Sequence, residues 1–133
     1  MQDNSIIGTW RLVGGTVRDA DGKPLAAPYG PKGMGLVTFN RDGRMMAVLC
    51  DGRPALPAGT AKRDYASYCG NWRFDGKVLV TKVDATSDPD RMGTDQVRQV
   101  RFEGGRMILQ PPPRAVGGVT QHRELTWERI SEL

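Results

Sequence analysis

Apolar and polar residues alternate along most of this chain, the pattern of strands with one face turned inward. Residues 6–17 read Ile-Ile-Gly-Thr-Trp-Arg-Leu-Val-Gly-Gly-Thr-Val, which puts Trp10, Leu12, Gly14 and Thr16 on one face and Arg11, Val13, Gly15 and Val17 on the other. Gly8, two residues before the tryptophan, lets the chain turn tightly into the strand. Near the other end Leu125, Trp127 and Arg129 share a face. Pairing of these first and last strands would close the sheet on itself and lay Arg129 over the Trp10 ring, a cation–π contact worth about 0.5–2 kcal/mol.

The stretches between them alternate in the same way. Residues 34–40 present Gly35, Val37 and Phe39 on one face, and Asn40-Arg41-Asp42-Gly43 is a hairpin signal leading into residues 44–50, with Met45, Ala47 and Leu49 inward. Trp72 and Phe74 alternate in residues 70–74, Asp75-Gly76 turns the chain, and Leu79, Thr81, Val83 and Ala85 share a face of residues 77–85. Gln96, Arg98, Val100 and Phe102 line one face of residues 94–103. Gly104-Gly105 leads to residues 106–110 with Met107 and Leu109 inward, and residues 119–130 form the last strand. Turn formers at 19–24 and irregular segments at 28–33, 51–60, 86–93 and 111–118 separate them, with a helical turn capped by Ser87 as an option in 86–93. Residues 61–68 are expected to form a helix of one or two turns, a lid or plug between strands. The prediction is all-β: an eight-stranded antiparallel up-and-down barrel with one short helix, its interior holding packed side chains or one small ligand. An open sheet would leave two unprotected edges.

Composition narrows the picture. A chain of 133 residues is expected to be a single domain spanning 1–133 with room for a real core, and 17 glycines with 9 prolines suit many tight turns. The formal charge of +4 comes without a Lys/Arg run and with acids interleaved, which argues for a solvated surface and against nucleic-acid binding. No signal peptide and no run of membrane-spanning length are read, so the expected location is cytoplasmic with no membrane partner. Cys50 and Cys69 then read as free thiols, a disulfide being the alternative if their strands are neighbours. Two cysteines and one histidine argue against a structural zinc site, and no metal or cofactor is expected.

The motifs Gly8-Thr9-Trp10-Arg11-Leu12-Val13, Asp19-Ala20-Asp21-Gly22, Tyr29-Gly30-Pro31, Asp42-Gly43-Arg44-Met45, Tyr68-Cys69-Gly70, Gly93-Thr94-Asp95-Gln96-Val97-Arg98 and Leu125-Thr126-Trp127-Glu128-Arg129 follow one another in this order. Together they resemble the small bacterial lipocalin-like domain family, within the calycin group, over nearly the whole chain. The resemblance implies an eight-stranded barrel with a cavity for an apolar or amphipathic small molecule. Related barrels include pure carriers and cofactor-free cyclases or isomerases. Family members often carry a histidine in the fifth strand, where this chain reads Val80-Thr81-Lys82-Val83.

Candidate chemistry centres on Gln96 and Arg98, which strand parity points inward above Val100 and Phe102 as a polar mouth over an apolar floor. An inward guanidinium can pair with a carboxylate, phenolate or enolate, or stabilise charge developing on oxygen; the plainer role is to satisfy an internal acid or the mouth loops. Arg123 shares a face with Leu125 and Trp127 and is a second inward cation. Tyr65 and Tyr68 either meet a ligand as phenol donors or cover the barrel end. Phe39, Met45, Trp72 and Leu109 are the expected apolar walls, and Met34, Met46, Met92 and Met107 suit a pliable lining or an ordinary core.

His122 is the only histidine. Parity turns it to solvent with Glu124, unless a bulge near Gly117-Gly118 reverses it into a general base. No serine is placed with a histidine and an acid, and the glycines follow hairpin logic rather than a phosphate cradle. Three classes remain: a carrier whose ligand's polar end is held by Arg98 and Gln96; a cofactor-free isomerase, cyclase or lyase using Arg98 with Tyr68 or His122; or a solid-cored module. Outer-face Val13, Val17 and Val48 make a homodimer an option.

Overall fold

Alternation becomes a closed ring in the computed structural model, which describes residues 2–132. In chain order the strands are β1 (Gly8–Arg18), β2 (Pro24–Leu25), β3 (Gly33–Phe39), β4 (Arg44–Asp51), β5 (Tyr65–Phe74), β6 (Val78–Thr86), β7 (Asp95–Glu103), β8 (Arg106–Gln110), β9 (Arg114–Val116) and β10 (Val119–Ser131). Eight of them, β1, β3 to β8 and β10, form the wall, each antiparallel to its neighbours, and β1 pairs with β10 to close it. The closing register sets Trp10 opposite Arg129 and Leu12 opposite Trp127. The Arg129 guanidinium lies 4.5 Å from the Trp10 ring centroid, as expected, and also donates to the Ser5 carbonyl. Short β2 and β9 extend the wall on β1 and β10 at one end.

The core sits toward the end where tight hairpins join β3 to β4, β5 to β6 and β7 to β8. Trp10, Phe39, Met45, Trp72, Phe74, Met107 and Trp127 are buried there, and Ile6 and Ile7 plug that end from the N-terminal segment. The plug is tied in by the Trp10 indole, which donates to the Ile6 carbonyl at 2.9 Å. Phe39 and Trp72 meet edge to face at 5.8 Å, and the Trp72 indole donates to the Asn40 carbonyl. The indole N–H of Trp127 has no partner, so that residue contributes packing alone.

Three expectations are corrected. Residues 61–68 contain no helix: Tyr65 begins β5, and β4 pairs along it from Cys50↔Tyr65 to Arg44↔Asn71. A one-turn helix leaves most of its backbone groups unsatisfied, whereas the open edge of β4 offers a full ladder. Helix is confined, among the described residues, to the 3-10 turn Pro89–Arg91. It is capped by Asp88 rather than Ser87, whose hydroxyl instead accepts from the Ser67 amide. Val17 is 3% exposed and not on the outer face with Val13 and Val48, because an irregularity between Leu12 and Gly14 in the β1–β10 register resets the alternation. Gly117 and Gly118, both at positive φ, form the β9–β10 hairpin turn, and β10 continues in unbroken alternation past His122.

At the opposite end the connections are long, and one carboxylate anchors the 52–64 segment. Asp51 is buried and accepts from the Arg53 amide (3.1 Å) and guanidinium, while Arg63 donates to the Asp51 and Arg53 carbonyls. Hydrogen bonding to Arg53 holds the Asp51 carboxyl below the usual range. Arg44 does the same for Asp84, Arg101 for Glu124 and Arg11 for Glu128. The unfolded chain therefore takes up these protons first as pH falls below about 4. Urea titrations are expected to show stability level near neutrality and declining progressively below about pH 4; an unchanged midpoint at about pH 2.5 would contradict these pairings.

Candidate functional site

Which end of the barrel opens follows from its connections. The β3–β4, β5–β6 and β7–β8 turns are tight, whereas segments 19–32, 52–64, 87–94 and 111–118 gather at the other end. There the wall splits. The β7–β8 ladder ends at Gln99↔Gln110, while β7 runs on to Asp95 paired with β6 alone. Beyond Gln110 come Pro111, Pro112 and Pro113, which have no N–H to continue the ladder, so the chain leaves the wall.

A cavity of about 300 Å³ occupies this split, lined by Arg91, Gln96, Arg98, Arg114, Gln121 and Arg123 among others. Beside it lies a second cavity of about 400 Å³, where Tyr29, Asp64, Tyr65 and Tyr68 face Arg91 and Arg123. Arg91 and Arg123 border both. β7 delivers Gln96 and Arg98 from its inward face, β10 delivers Gln121 and Arg123, and the loops supply Arg91, Arg114 and Tyr29.

Hydrogen bonds among these groups are few. Arg98 donates to the Val97 carbonyl at 2.8 Å, Arg123 to Gln121 Oε1 at 2.9 Å and Arg91 to Gln96 Oε1 at 3.1 Å. Burial lowers the Arg98 pKa, the neighbouring Tyr68 opposes that, and Arg91 adds to it; burial and Arg114 likewise lower Arg123. Arginine stays charged regardless. Burial raises Tyr68, with Arg98 and a hydrogen bond to Gln96 pulling the other way, and burial followed by Tyr68 raises Tyr29. At neutral pH the mouth thus presents guanidinium cations and neutral phenols, all able to donate hydrogen bonds.

Of the residues singled out from the sequence, Gln96, Arg98, Arg123, Tyr65 and Tyr68 come together here. Gln96 is 8% exposed, whereas Tyr65 is 54% exposed on the rim. Phe39, Met45 and Trp72 lie in the packed core near the hairpin end, and Leu109 is buried between Val100 and Leu125 in the wall; none of the four lines either cavity. His122 stands opposite Arg18 in the β1–β10 ladder and lines neither cavity. Its face is shared with Glu124, which pairs with Arg101 outside. Sequence reasoning missed Arg91, Arg114, Gln121 and Tyr29. The Tyr29-Gly30-Pro31 motif pointed at the last, but loop residues carry no periodicity that assigns them a direction.

Compared with known families, residues 7–130 match the one described as a lipocalin-like domain. No curated protein and no solved structure matches the chain.

Proposed function

The chain belongs to the lipocalin-like domain family, and from that premise we propose that it binds a small amphipathic molecule at the open end of its barrel, with Arg98 and Gln96 holding the polar end. The carrying observation is Arg98 itself. Its partly buried guanidinium borders a cavity beside Gln96 and Tyr68, and no acidic side chain lies within ion-pair distance of it among the described residues. A charged group is costly to hold in such surroundings unless something binds it. Free Cys50 and Cys69 support a reducing compartment such as the cytoplasm.

Tyr68 beside Arg98 supports a second reading, proton donation to a carbonyl whose oxygen the guanidinium stabilises. Binding is preferred over turnover because the one histidine stands away from both cavities. Native mass spectrometry of the freshly purified protein is expected to show a small-molecule adduct, and Arg98→Met is expected to weaken its retention about tenfold or more. An adduct held equally well by the variant, or no adduct under any purification condition, would count against this function.

A further inference from the structure

We infer that the mouth takes a compact organic anion, whose carboxylate, sulfonate or phosphate group sits between Arg98 and Arg123 while its body stays in the split between β7 and the 111–118 segment. This deepens the binding function above and rests on it.

The charge distribution carries the inference. Four guanidinium groups, from Arg91, Arg98, Arg114 and Arg123, line one cavity of about 300 Å³. Their only ion pair among the described residues is Arg91 to Asp88, at 3.6 Å. The carboxylate that does line this cavity, Asp95, lies 3.8 Å from Arg73. Asp64 and Asp88 border the neighbouring cavity rather than this one. Outer-wall arginines are treated differently: Arg11, Arg44 and Arg101 each grip a carboxylate. Like charges gathered in a partly buried site repel one another, and an oxyanion placed among them turns that repulsion into attraction. The neutral phenols of Tyr29 and Tyr68 and the side chain of Gln121 border the same region as uncharged hydrogen-bonding partners.

Packing sets the size. Below the mouth Leu12, Leu49, Leu79, Val100 and Leu109 join one continuous buried cluster with the hairpin-end aromatics. A long acyl chain finds no channel there, whereas a compact aryl body suits the rim cavities of about 300 and 400 Å³.

Two fluorescent probes with one aryl body test this on the full chain: 8-anilinonaphthalene-1-sulfonate, an anion, and N-phenyl-1-naphthylamine, its neutral counterpart. The sulfonate is expected to bind at least about tenfold more tightly, and Arg98→Met and Arg123→Met each to weaken it about tenfold while changing the neutral probe less than about twofold. Added salt is expected to weaken the sulfonate alone, and benzoate to displace it where palmitate does not. Arg98→Lys, checked with the others by circular dichroism, keeps the charge and is expected to retain most of the affinity, so a folding defect in the methionine variants does not hide the answer. Equal affinity for the two probes, or sulfonate binding indifferent to both arginines, would overturn the anion assignment and leave small-molecule binding standing. Displacement by palmitate would overturn the size limit. Failure of both probes to bind would remove the anion site and the binding function together.

Discussion

Trp10→Ala is expected to lower the free energy of unfolding by about 3–5 kcal/mol, a large part of what holds an ordinary domain folded. Trp10 is 2% exposed and sits at the seam where the ring closes, opposite Arg129 on β10 and Val37 on β3. Truncation removes its ring from the core, its hydrogen bond to the Ile6 carbonyl and the stacking partner of Arg129 in one step. The N-terminal plug loses its tether at the same time, so little nearby structure is left to collapse into the space. Urea unfolding followed by the fluorescence of Trp72 and Trp127 measures the loss. A change below about 1 kcal/mol would mean that the seam is not where this barrel keeps its stability.

Gly70→Ala comes next, at about 1–3 kcal/mol and toward the upper end of that range. A β-carbon on Gly70 would lie 2.0 Å from the Lys82 carbonyl oxygen and 2.8 Å from its carbon, both main-chain atoms of β6 that no rotamer change can move. The two strands already slip in register between Cys69 and Gly70, so the crowding falls where the ladder has least slack. Gly14→Ala is the matching control: nothing lies within 4 Å of its β-carbon position, and a change within about 0.5 kcal/mol is expected. Equal effects from the two substitutions in thermal or urea melts would show that strand geometry, not contact with Lys82, sets the cost.

Much of the wall was legible because inward and outward facing is a local property of an extended backbone. Val37 and Phe39, Met45 and Ala47, Leu79 and Val83, and Met107 and Leu109 are buried where alternation put them, and Gln96 and Arg98 point to the lumen side of β7. Residues 61–68 misled because helical propensity is read within the segment, whereas the hydrogen bonds that claimed Tyr65 to Tyr68 come from Ala47 to Cys50 of β4, outside that segment. Val17 misled for a related reason, since the irregularity after Leu12 exists only in the register with β10. The rim was the least legible part. Arg91, Arg114 and Tyr29 arrive on loops, and where a loop side chain points depends on what the loop folds against.

By itself the order of residues determined that this chain is a closed antiparallel barrel sealed by Trp10 and Arg129, with Arg98 and Gln96 facing its interior. Only the tertiary structure decided where the wall splits, how far the lumen is filled and which cations meet at the split beyond Gln110. Facing is set by two neighbouring peptide units, while an opening is set by where a ladder between distant segments stops.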